Sequence, residues 1–235
     1  GHAIGYFWGF KTAGVFQNTQ EINDWVAAGN GILQSNVQPG DVKYIDVNHD
    51  GAIDAKDKVD LGNGLPKYTF GFNFSLGYKG FDLSLNATGA AGFQIAQSYR
   101  DPSSSQGNYS RQILNRWTGE GTSNRIPRVT YGDVGNWQFS DLYLQDGDYI
   151  RLQNITLGYD FKRLISWKGL SKLRLYVQAQ NLFTFTKYDG MDPEIGSYNG
   201  TDGNNSDAWV SGVDMGYYPH PVSYTHLRAH ETLSD

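Results

Sequence analysis

Two neighbouring stretches of the chain alternate between apolar and polar residues at every position. Tyr68–Tyr78 reads YTFGFNFSLGY and places aromatic or aliphatic side chains at all its even-numbered positions. Lys79 and Gly80 separate it from Phe81–Thr88, in which Phe, Leu or Ala alternates with Asp, Ser, Asn or Thr. A period of two predicts β-strands with one apolar and one polar face, here joined by a two-residue turn.

A second pair of alternating stretches lies further along the chain. Apolar residues occupy alternate positions from Ile155 to Phe161, and again from Leu173 to Ala179. The same period of two predicts two more strands, each with an apolar face.

The connections between these strands alternate in length. Lys79-Gly80 and the Lys162–Ser171 link are short, whereas residues 89–147 and 186–220 are long and polar. A soluble β-sandwich would share the alternation, but it rarely separates its hairpins by loops of this size. Short turns at one end and long loops at the other are typical of a transmembrane antiparallel β-barrel, with the turns in the periplasm and the loops outside.

Aromatic residues gather near the predicted short turns. In a barrel they would form a girdle at the inner membrane interface, and in a soluble sheet they would pack an edge. We favour the girdle because both turns mark the same end. The residues are Tyr78, Phe81, Tyr159, Phe161 and Trp167.

The composition agrees with a transmembrane barrel. Of the 235 residues, 39% are hydrophobic and 14% aromatic, yet the mean hydropathy is −0.52. Only alternate residues of a barrel strand meet lipid and the loops are wet, which produces this balance. The longest apolar runs fall far short of the roughly 18 residues that a spanning helix needs.

Two further totals exclude classes of function. The chain has no cysteine, which excludes disulfides, thiolate metal sites and cysteine nucleophiles. Its formal net charge is −5 and it has no basic run, so we do not expect nucleic acid as a partner.

Six phrases of the sequence stand out as a set. They are GYFWGFKTAGVFQNTQEI (Gly5–Ile22), GDVKYIDVNHDGAID (Gly40–Asp54), GFNFSLGYKGFDLSL (Gly71–Leu85), DGDYIRLQNITLGYDF (Asp146–Phe161), LRLYVQAQNLFTFTKYDGMDPE (Leu173–Glu194) and MGYYPHP (Met215–Pro221). In this order they resemble the C-terminal part of SusC/RagA-type TonB-dependent transporters, outer-membrane proteins that import glycans or peptides.

The resemblance implies an all-β fold, the C-terminal portion of a barrel of about 22 strands with a plugged lumen and long extracellular loops. It implies TonB-dependent import of a nutrient, with a glycan favoured and a peptide as the alternative cargo. The implied partners are a SusD-like surface lipoprotein, the TonB system, the oligosaccharide or peptide ligand, and outer-membrane lipid. The implied location is the outer membrane, and no enzymatic activity is expected.

Two other functions compete with this interpretation. A secreted carbohydrate-binding β-protein with a dockerin-like calcium loop would bury its apolar strand faces against a second sheet, whereas a transporter exposes them to lipid. A glycoside hydrolase fragment would use a carboxylate pair such as Asp192 and Glu194. We interpret Asp192-Pro193-Glu194 instead as a turn leading off a strand.

The last residues of the chain stand apart from the six phrases. Val222–Thr232 reads VSYTHLRAHET, which matches the in-frame translation of a transposase-type sequencing adapter. We therefore divide the chain into residues 1–221, a partial TonB-dependent receptor barrel, and residues 222–235, a non-native read-through. His226 and His230 have the spacing of a helical metal pair, but they belong to this tail.

One short motif has the spacing of a calcium-binding loop. Residues 46–57 read DVNHDGAIDAKD, which fits D-x-[DN]-x-[DN]-G with a final Asp in place of the usual Glu. The alternative is an Asx-rich turn that caps its own backbone and needs no ion. The predicted Ca²⁺ ligands are Asp46, Asn48, Asp50, Ala52 through its carbonyl, Asp54 and Asp57.

Aromatic residues in the long polar loops are candidates for ligand contact. Sugar rings stack on aromatic faces while polar neighbours bind the hydroxyls, which would suit a glycan. Packing of loop on loop, or contact with a lid protein, would use the same residues. The candidates are Tyr99, Tyr109, Trp117, Trp137 and Trp209.

A short surface helix is predicted near the beginning of the chain. Asn18 and Glu21 have the spacing of a capping box, Ile22, Trp25 and Val26 follow, and Gly29 marks the end. We assign this helix a structural role.

Overall fold

The computed structural model describes residues 1–98, 109–130, 135–165, 173–195, 211–216, 218–226 and 230–231. Its elements are mostly strands, together with the α-helix α1 Thr19–Ala27 and short 3₁₀ helices. Within these residues no helix has both the length and the apolar character needed to cross a membrane. The strands are β1 Tyr6–Phe10, β2 Thr12–Val15, β3 Val42–Tyr44, β4 Lys58–Asn63, β5 Tyr68–Tyr78, β6 Phe81–Ala91, β7 Gln94–Gln97, β8 Leu144–Asp146, β9 Tyr149–Asp160, β10 Leu173–Thr186, β11 Val213–Asp214, β12 Ser223–His226 and β13 His230–Glu231.

The chain divides into two compact units. The first comprises residues 1–64, 94–145 and 195–216. The second comprises residues 65–93, 146–194 and 217–235.

The second unit is built on one antiparallel sheet with the strand order β5-β6-β9-β10-β12, and β13 also pairs with β10. The turn between β5 and β6 is Lys79-Gly80, with φ angles of 47° and 93°. Positive φ at both central residues is what a type I′ turn requires, and its twist matches that of the paired strands. The predicted hairpin is confirmed.

One face of this sheet is apolar across four strands. Phe74 of β5 lies opposite Leu85 of β6, and Leu85 lies opposite Ile155 of β9. Ile155 in turn lies opposite Ala179 of β10. Because directly opposed residues share a face of the sheet, the apolar positions form continuous rows. The six apolar side chains of β5 are 43–70% exposed.

Aromatic rings gather at the end of this face that carries the Lys79-Gly80 turn. Phe81 lies opposite both Tyr78 and Tyr159. The ring centroids of Phe81 and Tyr159 are 4.4 Å apart, and those of Tyr159 and Phe161 are 4.9 Å apart. Trp167, the fifth predicted member of the girdle, lies outside the described residues.

The other face of the sheet is polar. Asn73, Asn86 and Asn154 lie opposite one another in one row. Nearer the short turn, Arg174 Nε donates to Asp82 Oδ1 at 2.8 Å. Polar side chains on this face therefore bond to one another across the strands.

Three strands are longer than the alternation predicts. β6 continues to Ala91, β9 begins at Tyr149 and β10 extends to Thr186. In β9, Leu152 pairs with Ala87 and Asn154 pairs with Asn86, so Gln153 is an extra residue in a bulge. The extra residue exchanges the two faces for the residues before it. The apolar positions on the two sides of the bulge therefore do not follow one continuous period of two, and the first part of β9 was missed.

The strand β12 lies within residues 222–235, the predicted adapter read-through. It pairs with Val177–Gln180 of β10. An open strand edge can accept a partner through backbone hydrogen bonds whatever the partner's sequence. The pairing therefore does not bear on the origin of the tail, which stays a prediction.

The first unit packs short strands around a small core. β1 pairs with β4, β2 pairs with β3, and β7 lies between β8 and β11. One buried cluster consists of Phe10, Val42, Tyr44 and Ile53, and a second consists of Phe7, Ala96 and Leu144. The strands β7 and β8 lie within residues 89–147, where the sequence indicated only a polar stretch, because runs of three or four residues are too short to show a period.

The helix α1 occupies the predicted place. Asn18 is its N-cap, and the Asn18 side chain accepts a hydrogen bond from the Glu21 N–H at 2.9 Å. The Glu21 carboxylate accepts from the N–H of Gln17 at 2.6 Å, one residue before the cap. The capping box is thus present in a form shifted by one residue.

Candidate functional site

The Asp-rich loop predicted to bind calcium connects β3 to β4. The Asp46 carboxylate accepts hydrogen bonds from the N–H groups of His49 at 2.6 Å and Gly51 at 2.7 Å. His49 and Gly51 have φ angles of 60° and 82°, a left-handed conformation that glycine adopts readily. The loop therefore turns around the Asp46 side chain.

Asp57 closes the loop from its other end. It is fully buried, and its carboxylate accepts from the N–H groups of Val47 at 2.9 Å and Asp54 at 2.8 Å. Burial raises the pKa of the Asp57 carboxyl, but these backbone hydrogen bonds outweigh it, so the pKa lies below its usual value. Asp57 is therefore ionised at neutral pH inside the loop.

The other carboxylates of the loop lie on its exposed side. The Asp50 carboxylate accepts from Asn48 Nδ2 at 3.0 Å and from Ala52 N at 3.0 Å. The Lys56 ammonium lies 3.7 Å from Asp50 and 3.5 Å from Asp54. This geometry is that of the Asx-turn alternative. The oxygen donors also suit a hard cation such as Ca²⁺, and calcium binding stays a prediction.

The five candidate ligand aromatics have different environments. Tyr109 is exposed, whereas Trp117 and Trp137 are half-buried. Trp137 ends a 3₁₀ helix, Gly135–Trp137. Tyr99 and Trp209 lie outside the described residues. The structure therefore leaves Tyr109 as the most accessible candidate among the three that it describes.

Trp117 packs against Gly40, which precedes a residue at the centre of a buried polar network, Asp41. Asp41 is fully buried and accepts from Arg128 Nε at 2.6 Å and from Asn136 Nδ2 at 2.7 Å. Gly40 has a φ angle of 94°, and a Cβ there would lie 2.5 Å from the Trp117 ring. Trp117 thus packs against backbone, which favours the loop-packing interpretation of this residue.

A charged cluster that the sequence did not predict lies on the polar face of the sheet in the second unit. Arg151 of β9 is 2% exposed. Its Nη2 donates to Asp192, its Nη1 donates to Glu194 Oε2 at 2.7 Å, and its Nε donates to Thr184 Oγ1 at 3.1 Å. His220 Nδ1 lies 2.9 Å from Arg151 Nη1 and 2.9 Å from Asp192 Oδ2.

This cluster is centred on one cation. Burial raises the pKa of the Asp192 carboxyl, but hydrogen bonds from the N–H groups of His220 and Glu194 and from Arg151 outweigh it, so the pKa lies below its usual value. Among the described residues, Asp192, Glu194 and His220 bring potential metal ligands within 4.8 Å of one another. The guanidinium of Arg151 already supplies the positive charge at this point.

The sequence offered only weak signals for the cluster. Asp192-Pro193-Glu194 follows β10 with a bend at Pro193, and both of its carboxylates bind Arg151. Arg151 itself gave no clue, because it lies before the bulge at Gln153, where a period of two does not place it on the polar face. Asp192 and His220 lie 41 and 69 positions after Arg151, and separations of this length carry no sequence signal of a contact.

Taken together, the sheet defines the class of protein: a partial antiparallel β-barrel wall, with an apolar and a polar face. No protein-family profile matches the chain. The chain is 33% identical over 227 residues to TonB-dependent receptor P3 of Formosa agariphila, covering 96% of the chain and 22% of that receptor. It is 28% identical to TonB-dependent receptor SusC of Bacteroides thetaiotaomicron, covering 82% and 18%.

A solved structure shares the fold. The RagAB peptide transporter superposes with a TM-score of 0.62 at 19% identity, covering 93% of this chain and 22% of the other. These findings confirm the resemblance: the chain is related over most of its length to SusC/RagA-type TonB-dependent receptors. It spans about a fifth of the length of the relatives that it matches.

Proposed function

We propose that this chain forms part of the wall of an outer-membrane barrel that imports a nutrient in a TonB-dependent manner. The observation that carries the proposal is the exposed apolar face of β5, β6, β9 and β10, which lies back to back with a polar face. A large contiguous apolar surface marks a contact with protein or membrane. Membrane hydrocarbon can cover this surface, because the hydrogen bonds between paired strands satisfy their backbone N–H and C=O groups.

The orientation follows from the two kinds of connection. Lys79-Gly80 and Lys162–Ser171 face the periplasm, and residues 89–147 and 186–220 face outside. The aromatic rings at the Lys79-Gly80 end of the apolar face support a membrane interface at this end, because aromatic girdles lie at both interfaces of a barrel.

The cargo that we favour is a glycan. Its support is the set of aromatic residues in polar loop sequence, of which Tyr109 is exposed. A peptide is the second candidate, as in the RagAB peptide transporter that shares the fold. The partners in this proposal are a SusD-like surface lipoprotein above the loops and the TonB system, and no enzymatic step is involved.

The secreted carbohydrate-binding module has less support. Such a protein must bury its apolar strand faces, yet the apolar side chains of β5 are exposed along the whole strand. The named relatives are receptors of the TonB-dependent type.

Surface labelling and uptake test the proposal in a full-length receptor that carries this segment. Epitope tags at Ser104 and Asn204 should be accessible to antibody on intact cells, and a tag at Gly169 should not. Uptake of labelled oligosaccharide should require TonB, and a labelled peptide mixture provides the comparison for cargo. Surface labelling at Gly169 alone would show that the orientation is inverted, and TonB-independent uptake would contradict the transport proposal.

A further inference from the structure

Two segments far apart in the sequence meet at one buried guanidinium in the second unit. Asp192 and Glu194 follow β10, and His220 lies in a segment that precedes β12. All three contact Arg151, which is 2% exposed. One side chain of the sheet therefore holds both segments.

Asp192 joins the two segments directly. Its Oδ1 accepts from the N–H of Glu194 at 2.9 Å, within its own segment. Its Oδ2 accepts from the N–H of His220 at 3.0 Å, in the other segment. Asp192 is 5% exposed, so its charge is balanced by Arg151 rather than by water.

Arg151 also contacts the sheet that carries it. It lies on β9 between Thr88 of β6 and Thr184 of β10, and its Nε donates to the Thr184 hydroxyl. Its guanidinium lies over the ring of Tyr149, 5.7 Å from the centroid. The Thr184 hydroxyl and the Tyr149 ring thus help to orient the planar guanidinium toward the two segments.

We propose that Arg151 is a latch that holds residues 188–194 and 218–221 on the polar face of the sheet, so that the two segments become ordered and are released together. If only one of the two segments lies on the sheet, some hydrogen-bonding groups of the cluster lose their partners. Without the segment that carries Asp192, the His220 amide loses its acceptor. Without Arg151, the buried Asp192 carboxylate loses its guanidinium partner, and the two segments lose the one side chain that both of them contact. The latch does not depend on the cargo or on the transport proposal.

Hydrogen exchange measured by mass spectrometry on a full-length receptor that carries this segment tests the latch. In Arg151→Met, the peptides that contain the amides of Glu194 and His220 should both exchange at least about tenfold faster. The matched control is Arg174→Met, which removes the ion pair between Arg174 and Asp82 on the same polar face. Because that pair joins strands only, both segments should keep their protection in the control.

Two further variants keep the test decisive if Arg151→Met does not assemble. Arg151→Lys keeps the charge and loses the fork, and Asp192→Asn loses the charge that joins the segments. Each should release both segments by the same criterion. Release of only one segment would refute the coupling, and full protection in Arg151→Lys or Asp192→Asn would refute the role of the guanidinium–carboxylate pair.

Discussion

Replacing Phe74 by arginine tests the assignment of the two sheet faces. Phe74 lies near the middle of β5, its side chain is 43% exposed, and it faces Leu85 across the strand pair on the apolar side. Its neighbour Asn73 points to the opposite, polar side and faces Asn86. If the apolar side meets lipid, Phe74→Arg places a charge in hydrocarbon, whereas Asn73→Arg places the same charge in the lumen.

The expected magnitude follows from the position along the strand. An arginine on the lipid side near the bilayer midplane costs about 2–4 kcal/mol. This corresponds to a shift of about 30-fold to about 700-fold in the equilibrium between the folded and the unfolded barrel. Asn73→Arg should shift it by well under about tenfold, since lumen positions tolerate charge.

The measurement is a urea titration of a full-length receptor folded into lipid vesicles, with heat-modifiable gel mobility as the readout of the folded form. Phe74→Leu serves as the control for loss of the ring, and it should remain close to the parent. Equal destabilisation by Asn73→Arg and Phe74→Arg would refute the assignment of the faces. Greater destabilisation by Asn73→Arg would mean that the sheet is inverted relative to lipid.

Two predictions concern the Asp-rich loop. In calorimetry on a full-length receptor, Asp46→Ala and Asp50→Ala should abolish binding of one Ca²⁺, and Asp24→Ala on the exposed side of α1 should not. Equal calcium binding by the parent and both loop variants would contradict the calcium site. Because the pKa of Asp57 is lowered on folding, the stabilisation by Asp57 is complete above about pH 4 and is lost as the pH falls through the folded value. Exchange protection of the Asp54 amide, corrected for the intrinsic rate, should therefore hold down to about pH 4 and then fall, and Asp57→Asn should remove this pH dependence.

The strands and their faces could be predicted from the sequence because both depend on local order along the chain. In Tyr68–Tyr78 every second side chain is apolar, and a strand places every second side chain on the same face. The two-residue turn at Lys79-Gly80 then determined the register of the hairpin. The same reasoning missed the beginning of β9, because the bulge at Gln153 changes the parity and period two no longer holds across it.

The candidate sites also differ in how much of them the local sequence reveals. The turn of residues 46–57 was visible in the sequence because its donors and Gly51 lie within twelve consecutive positions. Whether its carboxylates bond to backbone or face an ion depends on how the loop closes, and the structure shows the bonds from the N–H groups of His49 and Gly51 to Asp46.

Only the tertiary structure decided the cluster around Arg151. Arg151, Asp192 and His220 belong to three separate phrases of the sequence, and each has an ordinary local role in a strand, a turn or a loop. Their meeting depends on the pairing of β9 with β10, which places Thr184 beside Arg151, and on the return of residues 218–221 to the same face. A charge becomes a strong organising group only when burial removes the water that would otherwise solvate it, and burial is a property of the assembled sheet rather than of any one segment.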